Sequence, residues 1–143
     1  MEFTQEQIAT LKNAIGTAEK HTSGEIRLHI DKACDTDPLD RAADVFAELE
    51  MHKTEQRNGV LFYIALDSKK FAILGDAGIN QKVEKDFWDK EKELMLEHFK
   101  KGELVKGLSE GIKLAGKRLA EYFPYERGDV NELSDEISFG YEN

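Results

Sequence analysis

Val60-Leu61-Phe62-Tyr63-Ile64-Ala65-Leu66 is an unbroken apolar run, entered through Asn58-Gly59 and left through Asp67-Ser68-Lys69-Lys70. A run that short and that apolar fits a central strand covered on both faces. The polar break is a turn, and Phe71-Ala72-Ile73-Leu74 returns as the hairpin partner until Gly75-Asp76-Ala77-Gly78 stops it.

The flanking sequence supplies helices to cover the hairpin. Thr4 with Gln7 is a capping-box pair, and Ile8, Leu11, Ile15 and Ala18 continue at helical spacing to about Lys20. Glu25-Ile26-Arg27-Leu28-His29-Ile30-Asp31 alternates strictly, which predicts a strand with Ile26, Leu28 and Ile30 inward and His29 outward. Asp37-Pro38 opens a second helix with Leu39, Ala42, Ala43, Phe46 and Leu49 as its buried stripe. Val83, Phe87, Trp88, Leu94 and Phe99 fit a third helix ending near Gly102. Leu104, Leu108, Ile112, Ala115 and Leu119 fit a fourth, whose Gly107, Gly111 and Gly116 predict close packing against the sheet.

The order is α-β-α-β-β-α-α, a mixed sheet in an α/β/α sandwich over residues 1–123. The first two strands flank a helix and should be parallel through a right-handed crossover, with the third antiparallel to the second. Residues 124–143 form an acidic C-terminal tail with six acids against Arg127 alone. Its Leu133, Ile137, Phe139 and Tyr141 leave two expectations open, docking on the body or disorder.

A net charge of −9 over 143 residues works against nucleic-acid phosphates and anionic membrane surfaces. No apolar run approaches the ~20 residues that span a bilayer. The first residues lack the basic and apolar regions of a signal peptide, which points to the cytoplasm. Cys34 is the only cysteine, so an internal disulfide or a cysteine-rich zinc site is excluded.

Two ends of the sheet gather acidic residues. At the end where the hairpin exits, Asp76, Glu25, Asn58 and Asp86 are oxygen donors within reach of one another, with Glu84 nearby. Carboxylates and carbonyls in glycine-bracketed loops suit a hard cation such as Ca²⁺ or Mg²⁺. Asp76 as a plain turn residue is the competing reading. At the opposite end, the carboxyl end of the parallel strands, Asp35, Asp37 and Asp67 form a second candidate cluster near Asp31. Asp35-Thr36-Asp37 resembles half of an aspartate-nucleophile phosphatase motif. Leu39 is wrong for it, and Asp37 serves equally well as a helix cap. A cysteine-phosphatase loop fails because one residue too many separates Cys34 from Arg41, and three aspartates lie between them. The histidines are scattered, and Phe87-Trp88 reads as core. No catalytic residue is assigned from the sequence.

Asn58 to Ala65, the turn, and Phe71 to Ile79 together resemble the signature hairpin of the TPM domain family. Ser23-Gly24-Glu25-Ile26-Arg27 is similar to its entry strand, and Phe99-Lys100-Lys101-Gly102 with Gly107-Leu108 and Gly111-Ile112 to its closing helices. The tail Asn131 to Ser138 resembles small bacterial members. The resemblance runs from about Thr4 to Phe123 and implies an α/β/α sandwich. Divalent cation binding and acid phosphatase activity have been associated with plant members, and several members serve photosystem II repair or act beside membrane proteins. The resemblance therefore implies a Ca²⁺-type binding or regulatory module, with Lys53 to Arg57 and the acidic tail as a surface for a protein partner. The alternative is a metal-assisted phosphatase, in which Asp76 with Glu25 or Asp86 would hold the cation whose water attacks a phosphomonoester. This chain lacks the signal peptide and membrane anchor that many members carry, and no acid directly follows Ile79.

Overall fold

The computed structural model describes residues 2–126, 133 and 135–143. Residues 127–132 and 134, part of the acidic tail, lie outside the described residues. Chain order is α1 (Gln5–Glu19), β1 (Glu25–Asp31), α2 (Pro38–Glu48), β2 (Gly59–Ala65), β3 (Lys70–Gly75), α3 (Ala77–Asn80), α4 (Asp89–Lys100), α5 (Leu104–Leu119) and β4 (Ser138–Phe139). The sheet runs β3-β2-β1-β4. β1 and β2 are parallel from Glu25↔Gly59 to Asp31↔Ala65, and β3 returns antiparallel from Ala65↔Lys70 to Val60↔Gly75. The apolar run Val60 to Ala65 is buried throughout.

Two apolar cores separate the layers. On one face Ile26, Leu28, Ile30, Val60, Phe62, Ile64 and Ile73 meet α1, α4 and α5. On the other, Leu61, Tyr63, Ala65 and Ala72 meet Ala42 and Val45 of α2 with Met51. The expected α/β/α sandwich is the fold. Its tail adds a strand that sequence reading did not assign: β4 lies parallel to β1, pairing His29↔Ser138 and Ile30↔Phe139.

Local chemistry explains the element ends. Thr4 Oγ1 accepts from Gln7 N at 3.1 Å while Thr4 N donates to Gln7 Oε1 at 2.9 Å, completing the capping box. Asp37 caps α2 by accepting from Leu39 N at 2.8 Å. α4 closes in a Schellman motif, with Glu103 N donating to His98 O and Gly102 N to Phe99 O. Gly102 takes φ +76° there, a conformation that favours glycine.

Three expectations change. The third helix begins only at Asp89, because Asp76 caps the short α3 and Val83, Phe87 and Trp88 sit in the turns that follow. In α2 the buried positions are Ala42 and Val45, while Leu39 and Ala43 are exposed. The glycines of α5 pack against neighbouring helices, not the sheet. A Cβ at Gly107 would meet the Phe99 ring at 2.7 Å, at Gly111 Met95 Cγ at 2.5 Å, and at Gly116 the Cα of Ala18 in α1 at 2.5 Å.

These contacts rank the three glycines. Met95 can move aside, so Gly111→Ala should be near neutral once the gain in helix propensity of ~1 kcal/mol is included. At Gly116 the obstacle is backbone, with Ala18 O also at 2.8 Å. Gly116→Ala is expected to destabilise by about 1–3 kcal/mol, read as a lower urea midpoint at unchanged slope. Equal midpoints for the two variants would contradict this packing.

Candidate functional site

β1 carries the unusual feature. Its even positions are apolar core, whereas its odd positions are Glu25, Arg27, His29 and Asp31, all of them fully or half buried. α2 covers this side of the sheet over β2 and β3, and the C-terminal tail runs beside β1. His29 is therefore not outward in solvent, as strict alternation predicted. It is 4% exposed and stacks on Tyr63.

At the carboxyl end of β1, Asp31 binds three side chains. Its Oδ1 accepts from His29 Nε2 at 2.7 Å, and its Oδ2 accepts from Arg41 Nε at 2.9 Å and from Tyr63 OH at 2.6 Å. Burial pushes this carboxyl up, but the bonds from Arg41, Tyr63 and His29 outweigh it and hold it below the usual range. Burial pushes the Tyr63 phenol up, and its bond to Asp31 adds to that. Burial lowers His29 against the pull of Asp31, which favours the neutral ring. With Nε2–H given to Asp31, Nδ1 accepts from the Ser138 hydroxyl at 2.8 Å. Gly140 N then donates to Ile30 O at 2.8 Å. A Cβ at Gly140 would fall 1.9 Å from Asp31 Oδ1, so only glycine passes over this carboxylate. The Ser138–His29–Asp31 line is thus a buried clasp for the tail.

At the amino end of β1 a second polar group forms. Glu19, at the end of α1, accepts from Ile26 N at 3.1 Å and shares a hydrogen bond with Asp135 of the tail. Its carboxyl is pushed up to about 10, first by burial and then by the Asp135 bond, with the charges of Asp135 and Glu25 adding and the Ile26 amide opposing. Glu25 is 3% exposed and its N–H donates to Asn58 O at 3.1 Å. Asn58 Nδ2 donates to Ser23 O at 3.2 Å. Asn58 Oδ1 is buried and accepts no hydrogen bond among the described residues. Arg27, between the two groups, donates from Nη2 to Glu136 O at 3.1 Å.

The other anticipated residues are placed as follows. Asp76 does reach the amino end of β2, but Arg57 Nε and Nη2 grip both its oxygens at 2.8 Å and Ala77 N donates to Oδ1 at 2.7 Å. Gly78 lets the chain pass the Gln56 and Arg57 carbonyls, where a Cβ would lie 2.1 Å from Gln56 O. The Arg57 carbonyl is taken by Gly78 N at 2.8 Å. Asp86 is exposed on the approach to α4. At the opposite end Asp35, Asp37 and Asp67 are all exposed, with Asp37 engaged as a helix cap. Among the described residues, no group of three or more His, Cys, Asp and Glu side chains is disposed to hold a metal ion as it stands. No helix of the described residues is long and apolar enough to cross a membrane.

Sequence reading missed two sets, His29, Asp31 and Arg41 with Ser138 at one end of β1 and Glu19 with Asp135 at the other. The available signal was Glu25-Arg27-His29-Asp31 itself. A strand central to a three-layer sandwich is normally apolar on both faces, so a charged row there marks a polar partner.

A family model described as the TPM domain matches residues 2–118. The chain belongs to the TPM domain family. The NMR structure of BA42 protein from the psychrophilic bacterium Bizionia argentinensis is similar at 46% identity and TM-score 0.92, over 98% of this chain and 97% of that one. An N-terminal domain from P. gingivalis shares the fold at 16% identity and TM-score 0.70, over 87% and 82% of the two chains. An N-terminal domain from Corynebacterium glutamicum does so at 10% identity and TM-score 0.65, over 99% and 82%. No curated protein matches the chain. The TPM domain here thus spans α1 to α5, and the clasped tail lies beyond the matched segment.

Proposed function

We propose that this TPM domain is a Ca²⁺-type binding or regulatory module whose cation is taken at the amino end of β1, by Glu19, Glu25, Asp135 and the Asn58 Oδ1. The observation that carries this reading is the gathering of oxygens at the amino end of β1, where Glu19 accepts from Ile26 N and shares a hydrogen bond with Asp135 beside the buried Glu25 and Asn58. Carboxylates gathered this way repel one another and hold a proton in place of a counter-charge. A hard divalent cation takes the same oxygen-rich surroundings and replaces that proton. The buried Asn58 Oδ1 adds a neutral donor that accepts no hydrogen bond among the described residues. Asp76 contributes less in this reading than expected from sequence, because a cation there must first displace Arg57 from both oxygens. Asp86 is exposed, whereas Glu25 and Asn58 are buried.

The site needs closure, and Asp135 supplies it from the tail. Cation binding would tie the tail more firmly to β1, which gives the module its regulatory output. Because Glu19 must give up a proton, affinity should rise with pH, by up to about tenfold per unit for one proton released.

The test is a Ca²⁺ and Mg²⁺ titration followed by amide NMR shifts and thermal unfolding. Expected are saturable shifts at Glu25, Ile26, Asn58 and Asp135, a higher melting temperature by mass action, and loss of both in Glu25→Gln. Flat titrations with both ions would end the cation reading. Shifts centred on Asp76 and Asp86 would move the site to the hairpin exit. Phosphate release from p-nitrophenyl phosphate by the cation-loaded protein, abolished in Glu25→Gln, would replace the module by the metal-assisted phosphatase.

A further inference from the structure

The other end of the sheet holds a cavity unrelated to the polar row of β1. Two turns stand side by side there: Leu66–Lys69 between β2 and β3, and Lys101–Glu103 between α4 and α5. The space between them is about 530 Å³, within the ~300–1,000 Å³ usual for small-molecule sites. Its walls include Ile64, Phe71, Leu96, Phe99 and Leu104. Phe71 and Phe99 meet edge to face at 5.4 Å, while Leu96 stays 42% exposed, one of three large apolar side chains so placed among the described residues. An apolar wall left open beside two packed rings is a surface with capacity for more apolar contact.

The rim is cationic, in a chain whose net charge is −9. Lys69 and Lys100 line the cavity, both are exposed, and neither has an ion pair among the described residues. Lys69 holds φ +52°, a conformation uncommon for a side-chain-bearing residue, which fixes the direction of that turn. Lys70 lends only its stem, since its Nζ donates to Cys34 O at 2.9 Å and to Thr36 O at 3.0 Å. Asp67 is the one acid on the rim. α5 opens beside the cavity without a side-chain cap, because the Glu103 carboxylate is bound by His98 at 2.9 Å. Its first-turn amides add positive potential to that of the lysines.

The geometry points to a binding site for a small amphiphilic anion, an apolar body with a single carboxylate head. The body lies against Phe71, Phe99 and Leu96, and the head meets Lys69, Lys100 and the start of α5. A site at the carboxyl end of parallel strands agrees with the general placement of ligands on open α/β sheets. It is independent of the cation site, which lies at the opposite end of β1.

Decanoate below its micelle concentration is the probe, titrated into the full chain and followed by amide shifts. Saturable shifts confined to Lys69–Phe71 and Phe99–Leu104 are expected. Decan-1-ol should bind about tenfold more weakly, because it keeps the chain and loses the charge. The double variant Lys69→Glu/Lys100→Glu should weaken decanoate by at least about tenfold with an unchanged melting temperature, since both side chains are exposed. Leu96→Gln should weaken decanoate and decan-1-ol alike. Absence of saturation, equal binding of acid and alcohol, or indifference to the lysine reversal would each overturn the assignment.

Discussion

Asp31→Ala is expected to lower the unfolding free energy by about 3–5 kcal/mol, the largest effect of any single polar substitution in the β1 row. The carboxylate side chain is 8% exposed and accepts from Arg41, Tyr63 and His29. Removing it leaves a guanidinium and two buried N–H and O–H donors without their acceptor, and the penalty is mostly theirs. Asp31→Asn should fall between wild type and alanine, because one amide oxygen can serve only part of the set. The readout is urea unfolding together with hydrogen exchange at Gly140, whose N–H closes the clasp on Ile30. pH supplies an independent check. Asp31 is held below its ordinary value, so its contribution is present above that value and is lost as pH falls through the folded one. The gap between wild type and Asp31→Ala should therefore narrow on acidification. A gap that is small at neutral pH would mean that the network is not coupled to folding.

The second large effect lies in the helical layer. Glu91 of α4 is fully buried, and Arg118 of α5 reaches it with Nη1, 2.9 Å from Oε2. The same guanidinium donates to Phe87 O and lies 4.1 Å above the Phe87 ring. Burial raises the Glu91 carboxyl, and Arg118 works against that rise. Arg118→Ala leaves the carboxylate buried without its cation, and a loss of about 3–5 kcal/mol is expected. The sign with pH is opposite to that of Asp31. A raised carboxyl is fully tolerated below its unfolded value and costs stability as pH rises toward its folded one, so this variant should lie closest to wild type in acid and fall behind as pH rises. Arg118→Met combined with Glu91→Leu should regain most of the loss, as apolar replacements of buried pairs commonly do. A double-mutant cycle by urea unfolding measures the coupling. Additive losses would show that packing of the Arg118 stem, and not charge, is the source.

Much of this architecture is legible in single residues. Gly59 and Gly75 bracket the hairpin at the ends where they stand in the structure, and Thr4, Asp37 and Gly102 mark helix ends by capping chemistry alone. The glycines of α5 also announced close packing. Their partners were beyond reach, because periodicity names a face but not the element that meets it. The same limit hid the candidate site. Alternation along β1 separates two faces, but solvent and a buried polar partner look identical at period two. His29 and Ser138 are 109 positions apart, and Glu19 meets a tail residue whose sequence carries only an acidic bias. In α2, Val45 displaced Ala43 from the buried stripe because the helix turns the Ala42–Val45 side toward β2 and β3.

β4 is only two residues long, yet it sits on the flank of β1 that no other strand of the described residues covers. Without it, β1 would offer a row of bare amides and carbonyls to any extended chain. A strand of two residues satisfies part of that flank and is too short to template another. The tail therefore covers part of this edge, and a chain ending before Ser138 is expected to join a second copy edge to edge more readily.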